Sequence, residues 1–237
     1  MYYIGVDLGT SSVKLILMAG DGSIINTVSK DYPISFPKPG WSEQNPTDWY
    51  DQVMAGIRQL TQEVDAKEVV GISFGGQMHG LVILDENDNV IRPAILWNDG
   101  RTAKECDYLN NVIGTKKLTD YTANIAFAGF TAPKLLWVLE NEPENFKKIR
   151  KIMLPKDYIA YRLSGVHCTD VSDASGMLLF DVKKRCWSKE MLDICHVKEE
   201  YMAKIFESYE CVGNLTEEAA GQLGLTTNAV SYTHLTL

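Results

Sequence analysis

The chain has 237 residues, 45% hydrophobic and 23% charged, with a net charge of -8; it can bury one large or two small cores, and its composition gives no sign of disorder. A pI near 5.1 argues against a nucleic-acid or anionic-membrane surface, since both need clustered Lys and Arg. No apolar run approaches the ~18 residues of a membrane span, and no basic segment precedes Met1-Tyr2-Tyr3, so the expectation is a cytoplasmic protein.

The first predicted elements are two strands of a hairpin, Tyr2 to Leu8 and Val13 to Met18, around a Gly9-Thr10-Ser11-Ser12 turn. Gly9 permits close backbone approach, and the amides and hydroxyls of Thr10, Ser11 and Ser12 can surround phosphate oxygens. Asp7 is the one charged group at the end of the first strand. A carboxylate beside phosphates is repulsive unless a hard cation such as Mg2+ lies between them, so Asp7 points to a metal. Lys14 alternates off the core face and can reach a phosphate as a point charge. The alternative is a tight surface hairpin whose Asp caps its turn.

Asp21-Gly22 makes a second turn and Ile24 to Val28 a third strand, giving an antiparallel meander. A Pro-rich connection, Phe36 to Gln44, ends at Asn45-Pro46-Thr47-Asp48. That string is an N-cap, a proline at the first helical position and an acid in the first turn, and it predicts a helix to about Glu63 that buries Trp49, Val53, Ile57 and Leu60. Val69 to Phe74 reads as a strand buried on both faces. It breaks at Gly75-Gly76-Gln77-Met78-His79-Gly80, where glycines let small ligands approach Gln77, Met78 and His79; a lone histidine is also often structural. Leu81 to Leu84 and Val90-Ile91 are expected to pair as a hairpin.

Ala94 to Leu96 is a further short strand ending in Trp97-Asn98-Asp99-Gly100-Arg101. A flat indole beside Asn and Asp suits a sugar; equally, Asp99 can cap a helix from Thr102 to about Val112 while Trp97 fills core. Helices are predicted from Thr131, with Pro143 beyond its end, from Pro155 to Gly165, over Lys189 to Ile194 and over Glu217 to Leu223. Ile149 to Leu154 reads as a strand, and Cys168 to Gly176 as a polar loop carrying Asp170 and Asp173. The five cysteines lack C-x-x-C pairing, so reduced, mostly buried thiols are expected, and His167-Cys168 has no further ligands at workable spacing.

Several separated blocks together resemble the FGGY carbohydrate kinases over Met1 to about Val230: Ile4-Gly5-Val6-Asp7-Leu8-Gly9-Thr10-Ser11, Trp41-Ser42-Glu43-Gln44-Asn45-Pro46, Gly76-Gln77-Met78-His79-Gly80, Ala94 to Arg101, Gly129 to Trp137, Leu154 to Tyr158 and Ser172 to Gly176. The D-x-G-T turn alone is shared with the wider actin-like ATPase superfamily. The resemblance implies an α/β fold, a ribonuclease H-like mixed sheet flanked by helices, with a second domain of the same fold and ATP between the two. It implies Mg2+ at Asp7, phosphates around Gly9, Thr10, Ser11, Ser12 and Lys14, and a ketose, D-xylulose, against Gln77, Met78, His79 and Trp97, with Asp99 and Asp173 as further substrate-site residues. Glycerol-specific members carry Arg-Glu at positions 78 and 79.

Beyond Val230 the family pattern leads to a Gly-rich turn with the catalytic aspartate and then the second domain, whereas this chain reads Ser231 to Leu237. The expectation is therefore an N-terminal domain over residues 1–230, a non-native tail at 231–237, an absent C-terminal domain and no base in the chain; the partners are sugar, ATP, the C-terminal domain and, in some arrangements, a second copy. The rival readings are a kinase for another sugar or polyol and a non-catalytic actin-like ATP-binding module.

Overall fold

The computed structural model describes residues 1–232. Period-two alternation sets the first strands: Ile4, Val6 and Leu8 of β1 (Tyr2–Leu8) and Val13, Leu15 and Leu17 of β2 (Ser12–Ala19) are buried, while Asp7 and Lys14 between them are exposed. β1 pairs antiparallel with β2 from Tyr2 opposite Ala19 to Leu8 opposite Val13, and β2 pairs with β3 (Ile24–Asp31). The expected meander is present.

β4 (Glu43–Gln44) is short and leads directly into α1 (Pro46–Leu60). Asn45 accepts a hydrogen bond from the Thr47 amide and Pro46 occupies the first helical position, so the helix starts where its caps require. It ends at Leu60, three residues before the expected Glu63, and buries Trp49, Val53, Ile57 and Leu60. Gly56 brings it tight against β2, since a Cβ there would meet Leu15 Cδ1 at 2.5 Å.

β5 (Val69–Gly76) runs parallel to β1, with Leu8 opposite Gly76. It is central to a 6-stranded mixed sheet in the order Cys211–Asn214, Val230–Tyr232, β5, β1, β2, β3. Helix α1 packs on β2 and β3. Ser231 and Tyr232 thus continue a strand that pairs with Ile72 and Ser73, and the rest of the expected tail lies outside the described residues.

A second apolar cluster, containing Leu81, Ile83, Ile95, Leu135, Val138, Ile152 and Leu154, adjoins the sheet. It is built from β6 (Val82–Leu84), β7 (Ala94–Ile95), α2 (Ala103–Asp107), α3 (Thr115–Thr122), α4 (Thr131–Asn141), α5 (Pro143–Phe146) and β8 (Lys151–Met153). Then follow α6 (Pro155–Ser164), which packs on β5 and α1 and stops at Gly165 with φ 72°, β9 (Cys168–Asp170) and α7 (Val171–Ala174). Helices also form over Lys189–Ile194 and Glu217–Leu223 as expected.

Three expectations are amended. The Leu81 to Leu84 segment does turn back on Val90-Ile91, through the Leu84–Val90 bridge and the Ile91 amide donating to the Ile83 carbonyl at 3.1 Å, but its longer ladder is with β8; the buried partner supplies apolar contact that a solvated hairpin lacks. The helix expected from Thr102 to Val112 is α2 followed by a π-helical stretch, Tyr108–Gly114, and Asp99 does not cap it. The polar stretch from Cys168 is β9 and α7, because the Asp170 carboxylate accepts the Ser172 and Asp173 amides and caps a helix. The cysteines are free; Cys168 and Cys195 are buried, but Cys186 and Cys211 are exposed. Among the described residues no helix is long and apolar enough to cross a membrane.

Candidate functional site

The two clusters meet where β5 ends, and Gln77 to Gly80 connect them. The β1–β2 turn faces the same place. Gly9 is required there, because a Cβ would lie 2.9 Å from the Ser12 carbonyl oxygen. The turn is braced from outside: Tyr32 donates its hydroxyl to the Gly9 carbonyl, and Gln44 Nε2 donates to the Thr10 carbonyl at 2.7 Å. Its amides therefore hold their shape without a ligand. Burial and the Asp7 charge keep the Tyr32 phenol protonated well above its usual range.

Asp7 sits at the end of β1, opposite Lys14 in one ladder and Gly75 in the other. Its carboxylate is exposed and makes no hydrogen bond or ion pair among the described residues. A free carboxylate beside a turn of amides suits one hard cation that also binds phosphate, since Mg2+ is commonly held by one or two carboxylates with phosphates and waters completing its shell. No cluster of three or more His, Cys, Asp or Glu that could hold a metal alone occurs among the described residues.

Gln77 is buried and tied to the turn through Gln44. Gln44 Oε1 accepts from Gln77 Nε2 at 3.0 Å and Trp49 Nε1 at 3.1 Å, while Gln44 Nε2 holds Thr10. Gln77 Oε1 is left without a partner. Trp97 leans across from the other cluster, 43% exposed, and its Nε1 donates to the Thr10 hydroxyl at 3.0 Å. It lies at the site and does not fill core.

Met78 is exposed and His79 half-buried. His79 takes φ 62°, the left-handed region, which costs a non-glycine residue on the order of 1 kcal/mol. Its ring packs on Phe130 at 4.7 Å between centroids and lies so close to Gly176 that a Cβ there would meet the imidazole at 2.2 Å. Burial and the Lys134 charge push the imidazole below its ordinary range, with Asp173 opposing them. The ring is thus neutral near pH 7, one nitrogen a donor and the other an acceptor.

Asp173 is held from behind by Lys156. The fully buried Lys156 ammonium lies 3.0 Å from Asp157, 2.9 Å from Asp170 and 3.2 Å from Asp173. Of the three acids Asp173 is the least buried, and it turns toward the site. Lys156 stays charged, whereas burial raises Asp157 to about 6 despite that lysine.

Asp99 is placed differently. It is 2% exposed, and its carboxylate accepts from the Ser42 amide at 2.6 Å, the Arg101 amide at 2.9 Å, and Arg101 Nε at 2.8 Å and Nη2 at 2.7 Å. It braces the Trp97 loop from beneath. Arg101 also pairs with Glu43 at 2.7 Å and stacks over Trp41, 3.8 Å from Cζ to the ring centroid.

The turn, Gln77, Trp97, Met78, His79 and Asp173 therefore come together, and Asp99 stands behind them. Sequence reasoning missed Gln44, Phe130, Lys134 and Lys156 as supporting residues. Gln44 carried a signal, a polar residue in a Pro-rich segment just before a helix cap. Lys134 and Lys156 lie in two of the blocks that carry the family resemblance, but a helical lysine reads as solvated and neither was assigned a role.

Comparison with known proteins gives this site its relatives. The profile of the FGGY family of carbohydrate kinases, N-terminal domain, matches residues 2–233. The chain is 44% identical over 226 residues to a xylulose kinase of Bacillus subtilis (strain 168), covering 94% of this chain and 45% of that protein. Among solved structures it resembles a xyloylose kinase from Brucella ovis (TM-score 0.93, 38% identity, 99% of this chain and 48% of that one). It also resembles a gluconate kinase from Lactobacillus acidophilus (TM-score 0.93, 30% identity, 98% and 47%). The chain spans about half the length of the curated relatives it matches. By its sequence over almost its whole length and by its fold, the chain belongs to the FGGY family of carbohydrate kinases, whose N-terminal domain it matches.

Proposed function

We propose that this chain is the sugar-binding and phosphate-turn half of an ATP-dependent kinase that converts D-xylulose to D-xylulose 5-phosphate. The observation that carries the reading is the Trp97 indole bonded to Thr10 of the turn: a flat apolar face for a sugar and a cradle for phosphates are fixed to each other before either ligand arrives. The xylulose kinase relatives support the choice of sugar.

In this reading Trp97 offers its face to the sugar carbons, and the neutral His79 imidazole, the unpartnered Gln77 Oε1 and Asp173 take hydroxyls. Met78 covers an exposed flank. The amides of Gly9 to Ser12 and the Lys14 ammonium hold phosphate oxygens, and Asp7 would hold Mg2+, which when bound neutralises phosphate charge. Positioning of the accepting hydroxyl supplies much of the catalysis of phosphoryl transfer. A carboxylate must also take the hydroxyl proton, and we place that base and the second nucleotide wall in a C-terminal domain outside residues 1–237.

The test is calorimetric titration of residues 1–237 with D-xylulose, D-gluconate and glycerol. Weak binding of D-xylulose over the other two supports the reading, and binding of D-gluconate alone would transfer it to the gluconate kinases that share this fold. A coupled ADP-release assay on the same chain should show no sugar-dependent turnover. Turnover above background would place the base inside this chain, with Asp99 or Asp173 as candidates. Saturable MgATP binding with no response to any sugar would favour a non-catalytic ATP-binding module.

A further inference from the structure

Withdrawing a lysine amine from water is strongly unfavourable without a counter-ion, and a methionine of similar length would occupy the same space at no such cost. Lys134 of α4 is fully buried, and no carboxylate lies within ion-pairing distance of it among the described residues. Asp99 contributes at longer range, but its oxygens are occupied by Arg101 and the Ser42 amide. The amine instead donates to two backbone carbonyls, His79 at 2.8 Å and Gly129 at 2.6 Å. Two donors suffice for two acceptors, so the contact survives whether the group is an amine or an ammonium.

Both carbonyls belong to segments that shape the site. The His79 carbonyl is oriented by a left-handed backbone and also accepts from Thr131 Oγ1 at 3.2 Å. Gly129 lies against the Trp97 backbone, where a Cβ would come within 2.7 Å of the Trp97 carbonyl oxygen. Phe130, the next residue, packs on the His79 ring.

We infer that Lys134 is a positioning residue of the sugar site: its buried amine ties the His79 and Gly129 carbonyls together and so sets the His79 imidazole and the Trp97 indole at the spacing a sugar ring or chain requires. The inference rests on the proposed sugar site for its consequence, but not for its geometry. The charged and titratable groups facing Lys134 are Asp99, Arg101, Cys106 and His79, and those facing His79 are Lys134 and Asp173. Burial, opposed by Asp99, lowers Lys134 to about 7.

The experiment compares residues 1–237 with Lys134→Met and Thr131→Val by calorimetry with D-xylulose and by NMR titration of the His79 ring, assigned with His79→Gln. In Lys134→Met the His79 pKa should rise toward its ordinary value, and D-xylulose affinity should fall about tenfold, by more than MgATP affinity does. Thr131→Val, nearly isosteric, removes the other donor to the same carbonyl and should shift the ring resonances and weaken D-xylulose by about twofold. A variant whose melting temperature falls while ring titration and sugar affinity stay at the parent's values would overturn the inference, and if Lys134→Met does not fold, unchanged values in Thr131→Val do so alone. Should the parent chain bind no D-xylulose, the proposed function fails, and the His79 titration still decides the role of Lys134.

Discussion

Trp97 and Thr10 are joined by a hydrogen bond of 3.0 Å, indole Nε1 to hydroxyl, although 87 positions separate them in the chain. One residue belongs to the β1–β2 turn, the proposed phosphate cradle, and the other to the loop after β7, so a change at either should be felt by the ligand of the other. Trp97→Phe keeps an apolar face and loses the donor. Combined with Thr10→Val in a double-mutant cycle on D-xylulose affinity, it should reveal a coupling of about 0.5–1.5 kcal/mol; additive effects would mean that the bond is incidental.

His79 should serve recognition. In the full-length kinase His79→Ala should raise the KM for D-xylulose well beyond that for ATP. Because burial and Lys134 hold the imidazole below its ordinary pKa, its neutral form is favoured by the fold. The stability it contributes is therefore present above the unfolded value near 6.5 and is lost as pH falls through the lowered folded value. D-xylulose binding should weaken in the same window, and a binding profile flat from pH 7 to about 4.5 would remove the imidazole from the site.

Asp7→Asn keeps size and removes charge at an exposed position, so the fold should survive with an unchanged melting temperature. Mg2+-dependent turnover of the full-length enzyme should collapse. Near-parental activity with the parent's Mg2+ dependence is the result that would sink the assignment.

Arg101→Met should be among the most damaging changes outside the cleft. It leaves Asp99 and Glu43 as buried acids with one partner fewer, and breaking such a network typically costs ~3–5 kcal/mol. Urea denaturation reads this directly; a loss below about 1 kcal/mol would show that water or Arg92, which already pairs with Glu43, replaces the guanidinium.

The Lys134 amine has a lowered pKa in the fold, about 7. Between there and the unfolded value near 10.4 the unfolded chain binds more protons, so this group makes stability rise with pH across that window. Relative to the parent, Lys134→Met should lack that rise. Parallel stability curves between pH 7 and 9.5 would contradict it.

The meander, α1 with its caps and the β5 strand were legible because each rests on local chemistry: alternation in β1, Asn45-Pro46 ahead of a periodic apolar face, glycines at the end of β5. The β1–β2 turn and the Gln77 to Gly80 loop were legible for the same reason. What stayed hidden depends on distant partners. β6 pairs with β8 across the second cluster as well as with its own turn, and no local pattern announces that second partner. Asp99 reads as a cap or a ligand until Arg101 folds back on it, and α4 buries a lysine that helical periodicity would assign to solvent.

The strand Val230–Tyr232 lies between Cys211–Asn214 and β5, so among the described residues Cys211–Asn214 reaches the sheet only through it. In the order of assembly this makes the sheet's far edge the late partner. Residues 2–31 pair by local contacts and can form as soon as they are synthesised, β5 must then close a long loop onto β1, and Cys211–Asn214 must wait for chain that follows it. Amide exchange should follow that order, with Cys211–Asn214 opening well below the global unfolding free energy while β1 and β5 hold out longest.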